Sequence, residues 1–397
     1  MENKSIKKYH GAIAIVYICL FLEGSGNILI ASTKSSLMEH FGINLAAIGT
    51  ILMVDSIACG LFPMVTGSLS DKFGRKVVIF AGTILFSIFF ICVPLVKQYP
   101  ILILLTFIRG LGYCGTDPSS QATLFDAYED ASSKMPLAQL AFATGAFTAP
   151  IIISYIYDNN INWKFSYFLY GAFFLMLMVF VATREFPPSA KDRVKSAESK
   201  YIFKREPKPF REGLAICLYM ATLSIGYGFI SRWVDVYMID VFGFTNSAAV
   251  KVMSIYQIGC MLGAIINIYL TRKFHTSLLL ISHTAIGVIS MATAVFSMNS
   301  NIFTVGLFIA GAVLGSLFSL CVGLLGQFFP KSSGAATGCL SSSSSISLAL
   351  SSLIAGKTID IVGIYPLFVF TVFIMVISGI IAFIIRKLYL KLLEEPV

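Results

Sequence analysis

Residues 67–76 read Gly67-Ser68-Leu69-Ser70-Asp71-Lys72-Phe73-Gly74-Arg75-Lys76. Charges cluster at Asp71, Lys72, Arg75 and Lys76, and glycines stand at either side of Asp71. Apolar runs flank this island, over 45–68 before it and 76–96 after it. A helix needs about 20 apolar residues to cross the hydrocarbon of a bilayer. A short charged turn between two such runs therefore reads as the hairpin joining two spanning helices. Gly67 would let the helices approach closely, and Gly74 would supply a tight turn. Asp71 could face a positive helix N-terminus. Arg75 could hold a carboxylate through two parallel hydrogen bonds, with Asp126 as the candidate partner.

The rest of the chain agrees with this hairpin. Of 397 residues, 57% are hydrophobic and 12% charged, whereas soluble domains carry about 25% charged residues. A water-soluble enzyme, a disordered chain and a disulfide-stapled secreted domain are excluded. Twelve apolar segments are predicted, at 11–36, 45–68, 76–96, 100–126, 136–157, 163–183, 212–232, 246–271, 277–298, 302–328, 333–357 and 365–386. None shows the alternation of a membrane β-barrel strand. The first follows Lys4, Lys7 and Lys8 and is too long for a signal-peptide core, so it is expected to be an uncleaved helix.

An even number of spans puts both termini on one side. Most basic residues, including Lys72, Arg75, Lys76, Arg272, Lys273, Arg386 and Lys387, then fall on that same side. Positive loops mark the cytoplasmic face, so both termini are expected there, in a cell membrane. The formal charge of +9 is explained by this asymmetry, and no nucleic-acid partner is needed. The polar stretch 184–211 divides the chain into an N-terminal six-helix bundle (1–183) and a C-terminal one (212–397). The expected fold is all-α, with twelve helices in two pseudo-symmetric bundles.

The halves show traces of duplication. Phe107-Ile108-Arg109-Gly110 returns 201 residues on as Phe308-Ile309-Ala310-Gly311, and Lys72-Phe73 as Lys273-Phe274. Arg109 thus corresponds to Ala310, and Asp117 to Phe318, so the chemistry is expected mainly in the first half. The eight cysteines (Cys19, Cys59, Cys92, Cys114, Cys217, Cys260, Cys321 and Cys339) read as small, reduced, buried packing residues.

The pattern GxLxDxxGRK over 67–76 resembles the signature loop of the major facilitator superfamily. Arg109 followed by Gly110, Gly112 and Gly115 resembles that superfamily's span-4 motif. The run Gly110 to Gln121 with Asp117, then Asp126, then Ala143 to Pro150, resembles its fucose–galactose–proton symporter branch, which includes bacterial glucose permeases. Trp233-Val-Asp-Val-Tyr237 resembles that branch's span-7 W-x-x-x-Y; Gln121 stands where asparagine is usual. The resemblance implies that an acid in span 1 and an acid in span 4 form the functional pair, here Glu23 and Asp117.

Bottom-up, a charge inside a span costs roughly 2.5–3.5 kcal/mol, so Glu23, Asp55, Arg109 and Asp117 need partners or a function. Carboxyls in low dielectric suit proton exchange. Asn27 and Gln121, each one turn beyond an acid, are expected to bind solute hydroxyls. Softer second-half candidates are Trp233, Tyr237, Tyr256, Gln257 and Asn267: aromatics stack on sugar faces and amides bind hydroxyls. Gly67, Asp71, Gly74, Arg75 and Asp126 form the expected cytoplasmic gate. The serine run Ser341 to Ser345 reads as small residues permitting close packing.

The four histidines make no HExxH, there is no GxSxG, and Gly356-Lys357-Thr358 lacks the upstream glycine of a P-loop. No enzyme, cofactor or metal is expected. The expected activity is proton-coupled symport of a small polar solute, a monosaccharide foremost, by a monomer in the lipid bilayer. Two bundles would rock about a site near the midplane. The alternative is a proton-driven exporter of drugs or lipids.

Overall fold

The computed structural model describes residues 2–128, 135–188, 203, 205–329 and 333–394. Every regular element among them is helical: α1 (Glu2–Ser32), α2 (Lys34–Phe41), α3 (Leu45–Leu61), α4 (Pro63–Phe73), α5 (Arg75–Cys92), α6 (Tyr99–Ala127), α7 (Met135–Asp158), α8 (Lys164–Thr183), α9 (Leu214–Phe242), α10 (Asn246–Lys273), α11 (Thr276–Phe296), α12 (Ser300–Leu314), α13 (Leu317–Phe328), α14 (Ser333–Val362) and α15 (Ile364–Glu394). A short π-helical turn, Pro209–Gly213, leads into α9. Among the described residues, eleven helical stretches are long and apolar enough to cross a membrane, or twelve if α2 and α3, bent by 113°, count as one span. The chain is a multi-pass membrane protein.

The departures from the expected spans have local causes. The predicted second span is two helices, α3 and α4, interrupted at Phe62. Pro63 opens α4 and has no amide proton to continue the ladder. The first span stops at Ser32, and α2 restarts at Lys34. The tenth breaks between Leu314 and Leu317. Most of the connector 184–211 lies outside the described residues.

The chain divides into two compact units: Met1–Val194 with Phe244–Ser254, and Lys195–Gly243 with Ile255–Val397. In the first, α1 lies along α7, α5 packs on α6 and α8, and α3 on α6. The α1–α7 seam is made by glycine: a Cβ on Gly24 would strike the Phe142 carbonyl, and one on Gly145 the Phe21 carbonyl. An aromatic column joins α5 and α8, with Phe86 stacked on Phe174 at 4.5 Å and Phe90 on Phe174 at 5.5 Å. Two α8 tyrosines beside it are tied across, Tyr170 to Ser25 of α1 and Tyr167 to Thr33, between α1 and α2. The opening turns of α10 join this unit through Ser247–Ser154 and Lys251–Asp158.

In the second unit α9 packs on α14 and α15, and α11 on α12 and α15. The serine run takes part in packing: Ser343 donates to the Cys217 carbonyl at 3.0 Å, and Ser344 bonds Ser224 at 2.8 Å. One expectation needs correcting. Not all cysteines are buried, because Cys339 is exposed on α14 and several others are half-buried.

Candidate functional site

The site is written along one stripe of α6. Residues four apart share a helix face, and Arg109, Tyr113, Asp117 and Gln121 follow at that spacing. Arg109 reaches Asp55 on α3: Nε donates to Oδ1 at 2.8 Å, and Nη2 binds the same oxygen. Both residues are buried, at 0% and 2% exposure. Arg109 is therefore half of an interior ion pair. Its guanidinium also lies over the Phe89 ring, 6.0 Å from the centroid. Nη1 has no hydrogen-bond partner among the described residues.

Glu23 enters from α1 and is fully buried. Its Oε1 accepts a weak bond from Cys19 Sγ at 3.2 Å; Thr116 of α6 lies near the carboxyl, its own hydroxyl donating to the Gly112 carbonyl at 3.0 Å. Its Oε2 has no hydrogen-bond partner among the described residues. Asp117 and Arg109 both lie within electrostatic range of it. Asp117 is held by Gln121, whose Nε2 donates to both carboxylate oxygens at 3.1 Å. Asn27 makes no such bond to Glu23 among the described residues; Cys19, one turn before Glu23, bonds it.

Pro118 follows Asp117 within the helix. Lacking an amide proton, it leaves the Cys114 carbonyl without its ladder partner. Thr66 of α4 supplies the missing donor, Oγ1 to O at 2.6 Å. This tie joins the charged hairpin to the acid-bearing stripe. Thr66, Thr116, Cys19 and Tyr113 were not picked out from the sequence. Thr66 was findable in principle, because a proline inside a span demands a substitute donor.

In the hairpin Arg75 Nε donates to Asp126 Oδ2 at 3.1 Å, with side chains 13% and 5% exposed. Arg75 Nη1 also donates to Ser70 Oγ at 3.1 Å, and Ser119 of α6 donates to Ser70 at 2.9 Å. Gly74 has φ +93°, a conformation that disfavours any side chain. The reason expected for Gly67 does not hold: a Cβ there would meet nothing within 4 Å. The Asp71 side chain lies outside the described residues.

The second-half candidates belong to the second unit, and packing accounts for several of them. Tyr237 is fully buried, stacked on Phe303 at 4.6 Å and against Phe368 at 4.3 Å. Asn267 donates to the Gly263 carbonyl and to Ser316. Trp233, Tyr256 and Gln257 are buried, Tyr256 with its ring 6.1 Å from Tyr227.

The offset of 201 residues is visible in the packing. A Cβ on Gly110 would crowd Ala58 and the Asp55 carbonyl; one on Gly311 would crowd Gly259 and the Tyr256 carbonyl. Asp55 thus maps onto Tyr256, and Ala58 onto Gly259. The second unit keeps the helix contact and lacks the ion pair, having Ala310 and Tyr256 where the first has Arg109 and Asp55.

The sequence model of the Major Facilitator Superfamily matches residues 16–301 and 252–396. The chain belongs to the Major Facilitator Superfamily. Among curated superfamily relatives, the uncharacterized MFS-type transporter YfkL of Bacillus subtilis is 25% identical over 395 residues, 99% of each chain. The inner membrane transport protein YdiN of Escherichia coli is 24% identical over 82% of this chain and 78% of its own. Among solved structures, a D-xylose-proton symporter superposes with TM-score 0.77 at 16% identity, over 96% of this chain and 98% of its own. This superfamily member is a transporter and not an enzyme.

Proposed function

We propose that this superfamily member couples the movement of a small polar solute to that of protons, by symport across the cell membrane, with both termini in the cytoplasm. The observation that carries the reading is the distribution of charge along α6. The buried arginine is committed to Asp55. Glu23 and Asp117 are left within electrostatic range of each other, and neither has a hydrogen-bonded cation among the described residues. A buried carboxyl with no bonded cation suits proton exchange, and α1 and α6, which carry the two acids, pack together. The free Oε2 of Glu23 and the amide of Gln121 are suited to solute hydroxyls, which favours a monosaccharide. The branch resemblance of spans 4, 5 and 7 supports the same solute class. In this reading Arg75–Asp126 is the cytoplasmic gate of an alternating-access cycle.

The test is solute-driven proton uptake into proteoliposomes. Wild-type protein should acidify the lumen when a transported sugar is added outside. Asp117→Asn and Glu23→Gln should abolish accumulation while leaving solute exchange measurable. Sugar flux that ignores collapse of the pH gradient, together with intact accumulation in Asp117→Asn, would overturn the reading.

A further inference from the structure

The 201-residue correspondence also reaches the charged hairpin. Gly74 and Arg75 map onto His275 and Thr276, and Asp126 maps onto Gln327. The position of the Arg75–Asp126 pair is therefore occupied in the second unit by a histidine and an amide. His275 is the N-cap of α11: its Nδ1 accepts the Ser277 amide proton at 3.2 Å and lies 2.9 Å from Ser277 Oγ. Arg386 of α15 donates to that same hydroxyl at 2.9 Å. Ser277 Oγ accepts from Arg386, so its own proton is available for Nδ1. The ring proton is then on Nε2, and Gln327 of α13 interacts with the ring. The imidazole stacks on Tyr389 of α15, centroids 3.8 Å apart and planes 18° apart.

We propose that this cluster is a proton-operated latch, in which a proton on His275 Nδ1 releases the first turn of α11 from α15. Protonation removes the acceptor that caps the Ser277 amide. It places a cation at a helix N-terminus, where the dipole opposes it, and reverses the direction in which the Ser277 hydroxyl must point. Arg386 is the formal charge that acts on the ring, Tyr389 is the titratable group stacked on it, and Gln327 carries no charge. The Tyr389 face alone favours a cation, but Arg386 already lies 5.7 Å from that ring's centroid. Burial, and then the Arg386 guanidinium, push the imidazole below its ordinary value of 6.5, with Gln327 opposing. The sign follows. The neutral cap contributes its full stabilisation above the ordinary value. That contribution is lost as pH falls below the ordinary value and through the lowered one. The latch is independent of the solute reading; with the orientation proposed above it responds to cytoplasmic pH.

Hydrogen exchange of the full-length protein in detergent, read on the peptide covering 276–282 and corrected for intrinsic rate, tests the latch. Moving from about pH 7.5 to about pH 5.5 should lower wild-type protection there by about five- to tenfold. His275→Asn keeps a capping oxygen that does not titrate, and should be protected equally at both pH values. Arg386→Gln removes the opposing charge, and should move the wild-type midpoint to higher pH. A pH response in His275→Asn equal to wild type, or an unmoved midpoint in Arg386→Gln, would overturn the proposal. Should His275→Asn fail to fold, the midpoint in Arg386→Gln decides alone.

Discussion

Replacing Asp55 by asparagine tests whether the Arg109–Asp55 pair is an interior ion pair that the first unit needs. Two N–H groups of Arg109 converge on one Asp55 oxygen, and both side chains are buried. Asp55→Asn leaves a guanidinium that cannot lose its proton. Breaking a buried pair this way costs about 3–5 kcal/mol, which for a unit of this size lowers the melting temperature by about 6–20 °C. Arg109→Gln should be milder, because the glutamine amide still offers Asp55 a donor and leaves no fixed positive charge without a partner. The double variant, with no charge at either position, should regain most of the loss, since neutral replacements of buried pairs are often tolerated. The assay is thermal unfolding in detergent, followed by tryptophan fluorescence or by loss of a monodisperse chromatographic peak. The order of damage is the informative result. If Arg109→Gln is as destabilising as Asp55→Asn, or if the double variant is worse than either, uncompensated charge is not what makes the pair important. Asp55→Asn has a second consequence. A released Arg109 lies within range of Glu23 and can neutralise it, so residual folded protein should be uncoupled although Asp55 binds neither acid.

Gly145→Ala should abolish monodisperse folded protein, because its Cβ would strike the backbone carbonyl of Phe21; Gly67→Ala, with open space around it, should purify like wild type. Thr66→Val removes the donor that satisfies the Cys114 carbonyl and should cost about 1–3 kcal/mol, read as a lower unfolding temperature, whereas Thr66→Ser should retain stability. Tyr237→Phe should leave both stability and solute binding unchanged, since the hydroxyl has no partner among the described residues; Tyr237→Ala should cost about 3–5 kcal/mol through lost packing. A solute affinity that falls in stable, folded Tyr237→Phe would return that residue to the binding site.

Fold class was readable because its signals are coarse. Apolar runs of spanning length and basic loops survive an error of several residues at each boundary. Charged residues inside spans were equally readable, since few reasons permit them. What stayed hidden depends on rotation about helix axes and on which helices touch. Asp55 and Arg109 are 54 positions apart, and only the packing of α3 on α6 makes them a pair. Asn27 has the right spacing from Glu23 yet does not bond it. Tyr237 and Asn267 have side chains suited to a sugar and spend them on neighbouring rings, a carbonyl and a hydroxyl. Phe62, where the second span breaks, could be anticipated only from Pro63, whose effect on a spanning helix depends on which neighbours replace the lost bond.

The comparison of the two units separates the contacts that hold a bundle together from those that carry charge. At 201 residues apart, Gly110 and Gly311 make the same close approach to a neighbouring backbone. A glycine there is required by geometry alone, whatever chemistry the unit performs. Arg109 beside Gly110, and Asp55 beneath it, are not required by that geometry, because Ala310 and Tyr256 fill the corresponding positions. Packing therefore explains the glycine and not the ion pair. A buried pair that stabilises little relative to apolar replacements is better explained by what it does to its surroundings. Here it removes the arginine as a dedicated partner for Glu23 and Asp117, so that both acids remain available for proton exchange. The same division applies at the hairpins, where Asp126 has Gln327 as its counterpart and Gly74 has His275, so that a charged pair in one unit is answered by an imidazole and an amide in the other.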